Sequence, residues 1–325
     1  MTIDQAADGY GPATLANLRR EVVGRSREAE LVVAALMAGR HLLLEGPPGT
    51  GKSTLLRAIS QAADREMYFV EGNAELTPAR LAGHFDPAQV MEAGYSESVW
   101  VDGPLVRALR DGRILYLEEI NRVPEETLNL LVTVMSEGEL TVPRLGRIEA
   151  APGFRFVAAM NPFDAVGTAR ISGAIYDRVC RVAMGYQSAA EEVDIAGRSS
   201  QLPRDHIEKV VEVVRATRDH TEVRVGSSVR GAVDLLLLSE DLGTLRGLPA
   251  TDFHVGLDSA LAALSGRIRL NDSTNVTPEQ VVTELWTAFL GPPPEDQDLD
   301  GERNGEERGK APSRPAATPT PTTRS

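Results

Sequence analysis

A single cysteine, Cys180, stands among 325 residues. That excludes an internal disulfide and any metal site built from several thiolates. The residue reads as a small buried hydrophobe rather than a reactive thiol. Basic charge is scarce too: 34 Lys and Arg against 47 Asp and Glu leave a formal net charge of -13. Such a surface argues against nucleic acid as the main partner, because phosphate-backbone binding is driven by clustered cations that release counterions. Arg144 with Arg147 and Arg178 with Arg181 are the local exceptions. No uninterrupted apolar run approaches the length of a membrane helix. Met1-Thr2-Ile3-Asp4 lacks the basic and apolar regions of a signal peptide, so a cytoplasmic location is expected. The five histidines show no metal-ligand spacing and read as structural or surface residues, and no solenoid or propeller repeat is visible.

What is present is an ordinary globular composition, 42% hydrophobic and 25% charged, long enough for one large domain and a smaller one. Gly46-Pro47-Pro48-Gly49-Thr50-Gly51-Lys52-Ser53 follows the apolar run Leu42-Leu43-Leu44 and opens an amphipathic stretch that begins at Thr54. This is a phosphate-binding loop in its strand-loop-helix setting. Its glycines let successive backbone N–H groups turn inward, the helix N-terminus adds partial positive charge, and Lys52 adds a full one. Residues 46–54 are therefore expected to bind the phosphates of ATP, with the Ser53 hydroxyl holding Mg²⁺.

Strand signals at 42–44, 67–70, 114–117 and 154–159 alternate with helical patterns at 28–37 and 53–63. That order predicts an α/β domain whose mostly parallel sheet lies between helices, with nucleotide at the carboxyl ends of the strands. Residues 1–20 read as a flexible N-terminal segment and 21–187 as the nucleotide-binding domain. Two stretches, 84–103 and 141–149, read as inserted hairpins. Helical patterns at 188–199, 204–218, 228–239, 252–264 and 278–290 predict a small all-α lid over 188–290. From 291 the chain loses its large apolar residues and ends in Pro-Thr repeats, a composition that predicts disorder.

Ile114-Leu115-Tyr116-Leu117-Glu118-Glu119 reads as a buried strand ending in two carboxylates, the pattern of a hydrolytic site. Because neighbours on a strand point to opposite sides, the pair is expected to divide its work, Glu118 facing the metal and Glu119 the γ-phosphate.

With these motifs the chain resembles the AAA+ ATPases, and specifically their MoxR-type branch. The likeness rests on the phosphate loop, on Glu118-Glu119-Ile120-Asn121-Arg122, on Ala158-Ala159-Met160-Asn161-Pro162, on Ile175-Tyr176-Asp177-Arg178 and on Gly226-Ser227-Ser228-Val229-Arg230, in family order between about 22 and 290. The resemblance implies a P-loop AAA+ core followed by a lid, and a Mg²⁺-dependent ATP hydrolase assembled as a hexameric ring. In that scheme Lys52, Glu119, Asn161 and Arg178 are catalytic. Asn161 orients water and the γ-phosphate, and Arg178 is the arginine finger reaching the neighbouring subunit, with Arg170 a competing candidate and a surface ion pair the plainer reading. Arg230 touches ATP within its own subunit, while Val23, Gly24 and His41 lie near the adenine. Glu118 departs from the family's more frequent Asp, which implies retuned turnover. MoxR-like proteins generally activate or load a client enzyme complex with a von Willebrand factor A domain partner. A nucleotide-gated scaffold with incidental turnover, or more remotely a nucleic-acid-acting AAA+ module, remains open from sequence.

Overall fold

The computed structural model describes residues 9–162 and 171–292, apart from the side chains of Arg19 and Arg20. The sequence expectations for 1–8, for Arg170 and for the tail from 293 fall outside those residues. The chain opens with helices α1 (Pro12–Glu21) and α2 (Ser26–Met37), strand β1 (His41–Glu45), helix α3 (Lys52–Ala62) and strand β2 (Met67–Glu71). It continues through α4 (Pro78–Ala82), β3 (Gly83–Phe85), α5 (Pro87–Ala93), β4 (Trp100–Asp102), α6 (Pro104–Asp111), β5 (Ile114–Glu118) and α7 (Glu125–Glu137). The hairpin strands β6 (Glu139–Val142) and β7 (Gly146–Glu149) precede β8 (Arg155–Met160), α8 (Gly173–Tyr176) and β9 (Val179–Ala183). The C-terminal part holds α9 (Ala189–Gly197), α10 (Arg204–Asp219), β10 (Val223–Val225), α11 (Val229–Arg246), α12 (Phe253–Leu264), β11 (Arg269–Leu270) and α13 (Pro278–Leu290).

Five strands form a sheet in the order β2-β5-β8-β1-β9, every neighbouring pair parallel. The inner strands are apolar almost throughout, as a parallel sheet covered on both faces requires. Alternation sorts their residues: Leu43, Leu115, Leu117, Phe156 and Ala158 enter one core, while Leu42, Leu44, Ile114, Tyr116, Val157 and Ala159 enter the other. A third, separate apolar core joins α9 to α13 around Trp286. Local signals set several helix starts. Thr277 and Gln280 form a reciprocal capping box with Pro278 in the first turn, and Ser188 with Glu191 does the same for α9. No described helix is long and apolar enough to cross a membrane.

Several expectations need correction. Residues 12–20 are helical, because Leu15, Leu18 and Val22 supply an apolar stripe that a polar composition hides; Leu18 is buried among α2 and α3 residues. The insert at 84–103 is an antiparallel pair, β3 with β4, whose connection carries α5 capped by Asp86; the segment at 141–149 is a hairpin, β6 with β7. The C-terminal region is not wholly helical, since β10 pairs with β11. Cys180 is exposed, not buried, because β9 is an edge strand whose one fully buried residue is Val182.

His41 does not approach the phosphate loop. It starts β1, at the opposite end of the strand, where its Nδ1 accepts from the Phe156 N–H at 2.9 Å and its ring meets Phe154 edge-on at 6.0 Å. Burial, with help from the Arg155 charge, lowers its pKa from 6.5 to about 4. The unfolded chain therefore binds a proton between those values that the folded chain does not, and stability drops as pH falls from 6.5 to 4, by at most about 3 kcal/mol from this group. His41→Gln, which keeps an acceptor for Phe156, should flatten that part of the curve; urea unfolding at pH 7, 5.5 and 4.5 compares the two slopes.

Candidate active site

In a wholly parallel sheet all strands end at one edge, and β8 lies between β1 and β5. The register is level there: Glu45 pairs with Met160 and Leu117 with Ala158. The phosphate loop after β1, Asn161 after β8 and the Glu118-Glu119 pair after β5 are thus brought side by side. They share a cleft of about 110 Å³ lined by Pro48, Gly49, Gly51, Lys52, Ser53, Glu118, Glu119, Ala159, Met160, Asn161 and Arg230. Typical small-molecule pockets are roughly 300–1,000 Å³. This one fits phosphate groups, and a nucleoside would extend beyond it.

Gly51 caps α3 in a left-handed conformation, φ 83°. Lys52 is nearly buried, its ammonium donating to the carbonyls of Gly46 at 2.8 Å and Pro47 at 2.9 Å, which leaves one of its three donors for a ligand. Desolvation lowers its pKa to about 8, against the raising effect of Glu118. Thr50 is buried and its hydroxyl donates to the Pro47 carbonyl, so Gly46, Pro47 and Thr50 shape the loop without lining the cleft. Thr54 is exposed and outside the lining.

The strand-alternation expectation for the two glutamates is overturned. Glu118 ends β5, but Glu119 has a left-handed backbone, φ 54° and ψ 45°, which interrupts the alternation. Both carboxylates line the same cleft as a result. A non-glycine residue pays strain there, of order 1 kcal/mol, and such strain gathers at functional positions. Arg122 Nε holds Glu119 Oε2 at 2.5 Å. Ser53 Oγ donates to Glu118 Oε1 and accepts from the Tyr116 hydroxyl at 3.1 Å. The Asn121 amide reaches the Asn161 carbonyl at 3.5 Å.

Mg²⁺ usually keeps several waters and takes only one or two protein oxygens beside substrate phosphates. Ser53 and Glu118, touching each other next to Lys52, fit that demand. Glu118 reaches Ser53 directly.

Arg230 comes from the first turn of α11 and faces the loop. A Cβ added at Gly49 would sit 2.0 Å from Ser228 Oγ, so the loop lies against the start of that helix. Arg178 is not in the cleft. It is exposed at the start of β9, bonded to Ser136 Oγ at 2.5 Å and to the Ala174 carbonyl at 2.8 Å. Gly24 backs onto Glu191 of α9, where a Cβ would meet the carboxylate at 2.3 Å, and neither Val23 nor Gly24 lines the cleft.

Sequence reading missed Arg25. Its guanidinium is buried, pairs with Glu28 at 3.0 Å, and donates to the Thr50 carbonyl at 2.8 Å and the Gly185 carbonyl at 2.7 Å. It ties α2, the phosphate loop and the segment joining β9 to α9. The only sequence signal is an arginine beside Gly24 at a helix start, where a cation is otherwise unfavourable. Arg25→Met should lower unfolding free energy by about 3 kcal/mol, the usual cost of orphaning a buried ionic partner, and should weaken nucleotide binding at temperatures where it stays folded. Urea unfolding and a nucleotide titration check the parts separately; full affinity would make the clamp purely structural.

The AAA domain (dynein-related subfamily) profile matches residues 41–179. An uncharacterised protein of Staphylococcus saprophyticus is 32% identical over 213 residues, spanning 65% of this chain and 80% of that protein. YeaC of Bacillus subtilis, also uncharacterised, is 29% identical over 248 residues, 68% of this chain and 74% of that protein. Among solved structures, a RuvB variant of Thermotoga maritima superposes with a TM-score of 0.52 at 19% identity, covering 77% of this chain and 73% of that one. That likeness speaks for the AAA+ P-loop fold alone. Together with the cleft, the profile match identifies residues 41–179 as an AAA domain of the dynein-related subfamily, set in an AAA+ P-loop fold.

Proposed function

We propose that the protein is a Mg²⁺-dependent ATP hydrolase of the MoxR type, assembled as a hexameric ring and acting as a chaperone-like remodelling or activation factor on a partner complex. One observation carries the hydrolytic part: Lys52, Ser53, Glu118, Glu119, Asn161 and Arg230, from four separate segments, converge on one cleft. The ring and client parts rest on the family likeness, with the inserts at 84–103 and 141–149 as contact elements and a von Willebrand factor A domain protein as partner.

The loop amides and Lys52 bind the phosphates, and Ser53 with Glu118 holds Mg²⁺, which when bound supplies charge neutralisation. Glu119, restrained by Arg122, polarises the attacking water as general base, and Asn161 orients it. Arg230 reports nucleotide to α11. Arg178 is exposed and outside its own cleft, as a finger serving the next subunit must be; it would stabilise charge spreading over the transferred phosphoryl group.

Glu119→Gln should keep ATP binding and assembly while losing hydrolysis by on the order of a hundredfold or more; undiminished phosphate release refutes the assigned base. Partner activation by the same variant separates work driven by turnover from scaffolding. Arg178→Ala should also be inactive alone, yet mixing it with Glu119→Gln should restore activity, because some sites then combine an intact Glu119 with a neighbour's intact Arg178. An unrestored mixture argues against a finger acting across subunits.

A further inference from the structure

Tyr116 is the one aromatic residue in the strand Ile114–Glu118, and it is fully buried. Two residues before Glu118, it projects from the same face of β5 as that carboxylate. Its ring packs against Phe69 of β2 at 5.7 Å, which in turn lies under the Arg57 guanidinium at 5.6 Å. The phenol is thereby held in place, and a buried tyrosine hydroxyl needs a polar partner. It donates to Ser53 Oγ at 3.1 Å, and that serine hydroxyl in turn donates to the Glu118 carboxylate.

Ser53 has one proton and two acceptor lone pairs. Its proton goes to Glu118 and one lone pair accepts from Tyr116, so one lone pair is left. A serine hydroxyl otherwise rotates to suit its surroundings, and a rotor fixed on two sides offers its remaining lone pair in one orientation. We infer that Tyr116 is a positioning residue for metal: its phenol fixes the Ser53 hydroxyl and the Glu118 carboxylate as a preformed pair of oxygen ligands for Mg²⁺. Nothing in the motif itself asks for tyrosine here, since the strand needs only an apolar residue to fill the core around α3. The hydroxyl is what the core does not require.

This rests on the nucleotide-binding reading above and is tested apart from catalysis. Tyr116→Phe keeps the ring and removes only the hydroxyl. Binding of a fluorescent N-methylanthraniloyl ADP is measured without metal and then across a Mg²⁺ titration. The expected result is a rise of about threefold to tenfold in the Mg²⁺ concentration for half-saturation, the worth of one neutral hydrogen bond, with metal-free affinity unchanged. In a Ser53→Ala background the same substitution should shift the midpoint less than about twofold, since the hydroxyl it orients is gone. An unmoved midpoint in Tyr116→Phe overturns the inference, as does an equal loss of metal-free affinity, which would make the phenol a general support of the loop. A full shift persisting without the Ser53 hydroxyl overturns it too. If the unaltered protein binds no nucleotide with or without Mg²⁺, the hydrolase reading itself fails and takes this with it.

Discussion

Everything at the cleft depends on the sheet being parallel and level at its carboxyl edge. Parallel strands finish on one side, so β1, β8 and β5 deliver a cationic loop, an amide and two carboxylates to neighbouring positions without any long-range search by their side chains. The same edge gathers helix N-termini, whose partial positive charge suits phosphate. Burial then sharpens the electrostatics: Lys52, stripped of water, faces a carboxylate with little screening between them.

The frame alone does not finish the site. A strand that simply continued would turn Glu119 away from Glu118, and only the left-handed backbone at that position keeps both in one space. Arg122 then limits where the second carboxylate goes, and Tyr116 limits the first through Ser53. The geometry of the cleft in this chain is thus a product of one strained residue and a few fixed partners around it.

Much of this was legible in the sequence because it is written in local chemistry. The glycine-lysine-serine loop, the apolar strands and the Thr277-Pro278 helix start each carry their own signal over a few residues. The left-handed turn at Glu119 was not legible, since nothing in Glu-Glu-Ile announces positive φ. Arg25 was missed for a different reason: its partners, Thr50 and Gly185, are backbone carbonyls far along the chain, and a carbonyl has no sequence identity. His41 was placed near the adenine by the family pattern alone, whereas it starts β1 and a five-residue strand separates it from the phosphate loop. The helix at 12–21 hid behind polar composition because three apolar residues at helical spacing suffice to dock it.

The two inserts are joined to each other. Arg144, at the turn of the β6–β7 hairpin, lies over the Tyr95 ring at 3.8 Å, and Tyr95 packs edge-on against Phe85 of the other insert, which also carries Met91 almost fully exposed. The two protrusions are therefore coupled through stacked side chains rather than through backbone pairing. The β6 side of this contact continues back into α7, whose C-terminal end runs directly into β6 and whose Ser136 accepts from Arg178. The ring contacts between the two hairpins are thus continuous, through one helix, with the segment that carries Arg178.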